Sequence, residues 1–246
     1  MRPKTLNYPP NPNYGADACR RRISLITERG IVRAHLSDNF HEMRCLVRHD
    51  GRTITAIEAE TLRIPTSACP AAIAQLHQFV GLPVGAPAKL LYSGGQARQH
   101  CTHLLDLVVI AIRHTAREPG ETTYEAQVPD ETNEPVKLTI TRNGVPVHEW
   151  SARDGVILEP SALAGRTLDR GFAAWASETF DEDDFEAATI LSRTWLIAVG
   201  RLYRTDQAAG QPASINLQMF GRCFAYSRPQ IDSAVFTGEP ERNPPF

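Results

Sequence analysis

The sequence lacks a surplus of basic residues and a long apolar run. Its 246 residues include 26 Lys and Arg against 28 Asp and Glu, which gives a formal net charge of −2. Proteins that bind nucleic acid usually neutralise phosphates with a basic surplus, so this balance argues against such a partner. The longest apolar stretch, residues 104–112, is interrupted by Asp106 and is about half as long as a membrane span requires. We therefore predict neither a nucleic-acid partner nor a membrane.

The N-terminal residues and the cysteines add two further exclusions. Residues 1–14 contain four prolines and no apolar core. A secretory signal peptide needs such a core, so we expect a cytoplasmic protein. The five cysteines are odd in number and widely spaced, which argues against a disulfide framework. Their thiols are then packing groups, metal ligands or nucleophiles.

Changes in composition divide the chain into four predicted segments. Hydrophobic residues make up 42% and charged residues 22%, which are ordinary values for a protein with a buried core. The segments are a flexible proline-rich arm at 1–20, a first lobe at 21–120, a hairpin with helices packed on that lobe at 121–206, and an extended tail at 207–246.

The first lobe has the pattern of an α+β fold. Apolar and polar residues alternate between Arg22 and Leu62, and Asp50-Gly51 is a hairpin turn signal. The alternation predicts a three-stranded antiparallel meander. Apolar residues then recur at helical spacing over 70–80 and 102–116, which predicts two helices on one face of that sheet.

The second half is predicted to add a C-terminal β-hairpin and a long helix. Alternating residues over 136–147 flank Asn143-Gly144, which is a strong turn signal. Helical spacing predicts a short helix over 169–178 and a longer one over 183–203. We interpret the acidic run at 181–184 as a cap of the longer helix, because a helix N-terminus favours negative charge.

Two cysteines are predicted to lie at helix N-termini. Cys69 precedes Pro70, and proline is preferred at the first helical position, so Cys69 is the predicted N-cap. Cys101 comes directly before the second helix. The unpaired N–H groups and the dipole at a helix N-terminus favour thiolate, the form that binds metal or attacks an electrophile.

Histidines and carboxylates accompany these cysteines. His103 follows Cys101 by two residues, and Asp106 lies one helical turn further on, where it could orient the His103 ring. For the pair Cys101 and His103, a buried cysteine beside a helix-capping histidine is an equally good interpretation. His41 follows a turn that contains Asp38, and the alternative for it is a surface histidine. If both helix N-termini pack beside that turn, Asp38 and His41 point toward the two thiols.

The order of elements over residues 22–116 resembles the iron–sulfur scaffold proteins NifU and IscU. Residues 69–74, Cys-Pro-Ala-Ala-Ile-Ala, are similar to the scaffold's Cys-Gly-x-Ala-Ile-Ala. Residues 100–102, His-Cys-Thr, are similar to its His-Cys-Ser. The scaffold's first cysteine falls near Ser37, so a three-cysteine cluster site is not preserved.

This resemblance implies a scaffold-like fold and a metal-binding corner. Its implied ligand positions are Cys69, Cys101 and His100. We prefer His103 to His100, because Asp106 stands behind His103 on the predicted helix.

Nearly the whole chain also resembles an uncharacterised bacterial family, a domain of unknown function. The resemblance lies in S-D-x-x-H at 37–41, C-P-x-A at 69–72 and C-T-H-L at 101–104, with further similarity at 21–23 and 171–175. It implies no activity.

Three classes of function follow from these residues. The first is a protein that holds one divalent ion, zinc or iron, because mixed sulfur and nitrogen ligands suit these metals. The predicted ligands are Cys69, Cys101, His103 and His41, and the alternate or supporting groups are Asp106, His100 and Asp38.

The other two classes are enzymes or carriers. A metal-dependent hydrolase or lyase would act on a small-molecule substrate, with His100, Asp38 or Glu42 as the proton carrier. A thiol enzyme or sulfur carrier would use Cys101 or Cys69 as nucleophile, which the related fold of the SufE sulfur acceptors favours.

Overall fold

One antiparallel sheet of eight strands organises the protein. The computed structural model describes residues 6–92, 98–169 and 171–244, so residues 1–5 of the predicted arm lie outside its description. The strand order across the sheet is β4-β3-β2-β1-β5-β6-β7-β8. The strands are β1 (Ala18–Glu28), β2 (Ile31–Asp38), β3 (Glu42–His49), β4 (Ile54–Arg63), β5 (Gly120–Pro129), β6 (Val136–Arg142), β7 (Val145–Arg153) and β8 (Val156–Glu159).

Helices connect the two halves of the sheet and follow it. The α-helices are α1 (Ala88–Leu91), α2 (Thr102–His114), α3 (Phe172–Thr179) and α4 (Glu182–Ile197). The 3₁₀ segments are Cys69–Phe79, Ser161–Leu163, Ala198–Leu202, Thr205–Ala208, Ala213–Ile215, Leu217–Met219, Phe224–Tyr226 and Gln230–Asp232. Among the described residues, no helix has the length and apolarity that crossing a membrane would take.

The prediction of a three-stranded, scaffold-like meander is wrong. The first half contributes four strands, because Gly30 adopts φ +79° and closes a separate hairpin between β1 and β2. The other edge of β1 pairs with β5, from Ala18 opposite Pro129 to Thr27 opposite Gly120. This pairing joins both halves of the chain in one sheet instead of packing a second unit on the first.

The helices cover one face of this sheet. α2 contacts β1, β2 and β3, and α4 contacts β1, β5, β6 and β7. Exposed ion pairs also join neighbouring strands. Examples are Arg44–Glu60 between β3 and β4 and Lys137–Glu149 between β6 and β7. Buried and more exposed residues alternate along most of β1, β2 and β3, as one buried face requires.

The predicted C-terminal hairpin and long helix are present. Asn143 and Gly144 both have positive φ and join β6 to β7. The Asp181 carboxylate accepts a hydrogen bond from the Asp184 N–H at 3.3 Å, so the acidic run caps α4 as predicted. The helix continues past Ile197 as a 3₁₀ segment to Leu202.

The C-terminal segment forms a small second cluster of apolar residues. Tyr8, from the N-terminal segment, packs edge-on against Phe236 with ring centroids 5.0 Å apart. Both chain ends thus contribute to one wall beside the sheet. The buried members of this cluster are Ala208, Ala213, Tyr226, Ile231, Ala234 and Phe236.

Candidate functional site

A cavity of about 600 Å³ lies beside the β2–β3 turn and the N-terminus of α2. Its wall includes His41 from the turn, His103 from α2 and Arg193 from α4. Cys69 and Cys101 also line it. Four of the predicted ligands therefore share one cavity.

Local sequence shapes the turn that carries His41. The Oδ1 atom of Asp38 accepts the backbone N–H groups of Phe40 and His41, both at 2.8 Å, in the turn that aspartate side chains favour. Arg63, from β4, donates to the carbonyl oxygens of Asp38 and Asn39 at 2.5 and 2.7 Å. These contacts fix the backbone under the His41 ring.

Arg21 is the cationic partner of Asp38, and both side chains are fully buried. The two residues are opposite each other in the β1–β2 register. Arg21 donates from Nε at 3.2 Å and from Nη2 at 2.8 Å to Asp38 Oδ2. Arg20, Arg21 and Arg22 are consecutive, yet only Arg21 of the three is fully buried, because it is in phase with the inward-facing Ile23.

These contacts determine which nitrogen of His41 holds a proton. Burial acts to raise the pKa of Asp38, but the adjacent His41 and Arg21 hold that pKa well below its usual range. The carboxylate is therefore ionised and only accepts hydrogen bonds. His41 Nδ1 lies 3.0 Å from the Asp38 Oδ1 atom of this carboxylate, so Nδ1 carries a proton, and Nε2 is the nitrogen that remains for base chemistry.

His103 has the opposite tautomer. Arg21 Nη2 lies 3.0 Å from His103 Nδ1, and a guanidinium can only donate, so Nδ1 accepts and Nε2 carries the proton. Burial, with the charges of His41 and Arg21, lowers the pKa of His103 well below its ordinary value. The His41 and His103 rings lie 3.8 Å apart between centroids. The ring whose Nε2 can act as a base and the ring with an Nε2–H donor are therefore neighbours.

Asp38, His41 and His103 also form the one group of three or more potential metal ligands in the described parts of the chain. Their ligand atoms lie within 4.8 Å of one another. Cys69 and Cys101 are outside this group. That these cysteines share an ion with the histidines stays a prediction.

The cysteines lie where the sequence placed them, within one residue. Cys101 is the N-cap of α2, and Cys69 is the first residue of a 3₁₀ helix whose N-cap is Ala68. Burial raises the pKa of both thiols above its ordinary value. The protonated thiol is therefore the form that this environment favours for each of them.

Three other predicted residues lie away from the histidine pair. Asp106 accepts a hydrogen bond from the Tyr92 hydroxyl and pairs with Arg193. His100 stacks on Phe79, with ring centroids 5.5 Å apart. The third, Glu42, forms an exposed pair with His35 at 3.3 Å.

Residues 24–116 match the model of the family described as "Protein of unknown function (DUF2889)". The match supports the predicted resemblance to an uncharacterised family; the individual motifs and the resemblance to scaffold proteins are not confirmed by it. No match was found among curated proteins. The matched range contains Asp38, His41 and His103, whereas Arg21 and Arg193 lie outside it.

The lowered pKa of His103 predicts acid-sensitive stability. The unfolded chain binds a proton on this histidine below about pH 6.5, whereas the folded protein resists it. The free energy of unfolding should therefore fall from pH 7 to pH 5, by up to about 1.4 kcal/mol per pH unit from this group. Asp38 does not add to this pH dependence between pH 7 and pH 5, since its stabilising effect is lost only below about pH 4.

Urea unfolding at several pH values measures this slope. His103→Gln should flatten it between pH 7 and pH 5, and His35→Gln, at an exposed histidine, should leave it unchanged. Equal slopes for the wild type and His103→Gln would contradict the neutral state of His103.

Proposed function

We propose that this protein is an enzyme that transfers protons on a small molecule bound in the cavity, as a lyase or hydrolase, with His41 as general base and His103 as hydrogen-bond donor. One observation carries the proposal. The Asp38 carboxylate is held by five hydrogen bonds, of which one orients His41 and two come from Arg21. Arg21 in turn fixes the tautomer of His103.

The chemistry follows from the two Nε2 atoms. His41 Nε2 accepts a proton from a substrate C–H or O–H group or from water, and Asp38 stabilises the resulting imidazolium. Negative charge then develops on a substrate oxygen that accepts a hydrogen bond from the His103 Nε2–H. His103 stays neutral because burial lowers its pKa, and because a second positive ring beside a protonated His41 and Arg21 is unfavourable.

His41→Asn tests the proposed base. The asparagine amide can still donate to Asp38, but it has no basic nitrogen. NMR measures the exchange of substrate protons with D₂O for a panel of small hydroxy and oxo compounds. We expect the exchange rate to fall by about 10²- to 10⁴-fold in this variant. His35→Asn is the matched control, because His35 is exposed and outside the cavity wall. Equal exchange by the wild type and His41→Asn would exclude His41 as the base.

A mononuclear metal centre is the second candidate. Two imidazoles and a carboxylate within 4.8 Å suit zinc or iron(II). Metal binding requires His103 to release Arg21, or Asp38 to give up some of its five hydrogen bonds, and the hydrogen-bonded network therefore favours the acid–base function. Cys69 and Cys101 supply two further candidate ligands in the same cavity.

Elemental analysis of untagged protein distinguishes the two candidates. Near-stoichiometric zinc or iron that is lost in His103→Ala would favour the metal centre. Loss of metal in Cys69→Ser and Cys101→Ser would add the thiols to it. Proton exchange that survives treatment with a chelator would favour the acid–base site.

A further inference from the structure

Arg193 presents uncommitted hydrogen-bond donors to the cavity. Its Nε lies 3.0 Å from Asp106 Oδ2, and its side chain is 30% exposed and lines the cavity wall. The terminal amino groups of Arg193 have no hydrogen-bond partner in the described parts of the chain. A guanidinium has five N–H donors, so most of them remain for a molecule in the cavity.

Asp106 and Tyr92 hold Arg193 in this orientation. The Asp106 side chain is only 5% exposed and accepts a hydrogen bond from the Tyr92 hydroxyl at 2.8 Å through its other oxygen. A buried carboxylate with both oxygens engaged keeps the arginine from turning away. The positive charge of Arg193 also adds to the lowering of the His103 pKa that burial causes, so it acts close to the reacting pair.

The rest of the cavity wall is mainly apolar and aromatic. A volume of about 600 Å³ suits a molecule with more than one ring rather than a single small ring. Aromatic walls favour flat ligands, which stack or pack edge-on. The aromatic side chains in the wall are Tyr8, Phe40, Phe172, Tyr226 and Phe236.

We propose that the cavity binds a flat, mainly apolar molecule with one carboxylate, and that the terminal amino groups of Arg193 hold this carboxylate. The proposal rests on the proposed function, since it names the substrate class of the same cavity. Arginine suits a carboxylate because its planar fork can donate two parallel hydrogen bonds. The other charged residues of the wall are Asp169, Arg222 and Glu239, and Glu239 is paired with Arg242 at 4.0 Å.

Calorimetric titration with 4-biphenylcarboxylate and its uncharged amide tests the proposal. The wild type should bind the carboxylate at least about tenfold more tightly than the amide. Arg193→Gln should remove this preference, and Arg193→Lys should retain part of it, because lysine keeps the charge and the pairing with Asp106. Arg44→Gln, at an exposed arginine outside the cavity, should bind as the wild type does. Circular dichroism confirms that each variant is folded.

The outcomes separate this proposal from the proposed function. Equal binding of both probes, no binding of either, or a preference that survives Arg193→Gln would overturn the carboxylate site. In His41→Asn the preference for the carboxylate over the amide should persist, because Arg193 is intact. If it does, and proton exchange is also unaffected in that variant, the carboxylate site stands and the proposed base does not.

Discussion

Leu191→Asp should abolish cooperative folding. Leu191 lies in α4, is fully buried and belongs to the main core between the helices and the sheet. A carboxylate at this position loses its hydration and gains no partner. The substitution also removes the packing contacts of the leucine side chain. We expect a loss of at least about 5 kcal/mol, which is comparable with the whole stability of many domains.

Urea unfolding followed by circular dichroism measures this effect, with Leu217→Asp as the matched control. Leu217 is 72% exposed, so the same substitution should change the free energy of unfolding by about 0.5 kcal/mol or less. Similar unfolding curves for Leu191→Asp and the wild type would show that this face of α4 does not pack on the sheet.

Asp38→Asn should give the second largest effect. The substitution keeps an oxygen for the turn and for His41, but it removes the negative charge beside Arg21. Both Asp38 and Arg21 are fully buried, and leaving one charge of a buried pair without its partner costs about 3–5 kcal/mol. The same variant should lose proton exchange, because an amide stabilises the His41 imidazolium poorly.

Two comparisons separate the buried charge from general damage. Glu60→Gln removes a carboxylate from an exposed pair with Arg44 and should cost about 1 kcal/mol or less. The double variant Arg21→Met with Asp38→Asn should recover most of the stability but none of the proton exchange, since it leaves no unpaired buried charge and the asparagine oxygen still accepts from the turn. A cost below about 1 kcal/mol for Asp38→Asn would contradict the buried pair.

Local patterns predicted several of the strands and helices, but not their full number or how the strands pair. Alternation identified the segments of β2 to β4, and the Asn143-Gly144 signal located the β6–β7 turn. The β5 strand was missed, although Tyr124, Ala126 and Val128 alternate inward. The pairing of β1 with β5 brings together segments about a hundred residues apart, and period-2 alternation gives no information about such a partner.

The same distinction applies to the site. Short sequence spacings indicated Asp38, His41 and His103 as candidate site residues. A turn positions the first two, and the N-terminus of a helix positions the third. Arg21 belongs to a run of three arginines, a pattern typical of a solvated surface, but its phase with Ile23 indicates that it faces inward. Arg193 lies on a distant helix, and only the packing of α4 beside α2 brings it to the cavity.

The tautomers of His41 and His103 decide whether the site contains both a base and a hydrogen-bond donor. Long-range ¹H–¹⁵N NMR of protein labelled at histidine, with signals assigned through His41→Asn and His103→Gln, reads the protonation of each ring nitrogen at neutral pH. We expect a proton on Nδ1 of His41, and a neutral His103 ring with its proton on Nε2. A doubly protonated His103, or a proton on its Nδ1, would contradict the proposed arrangement of base and donor.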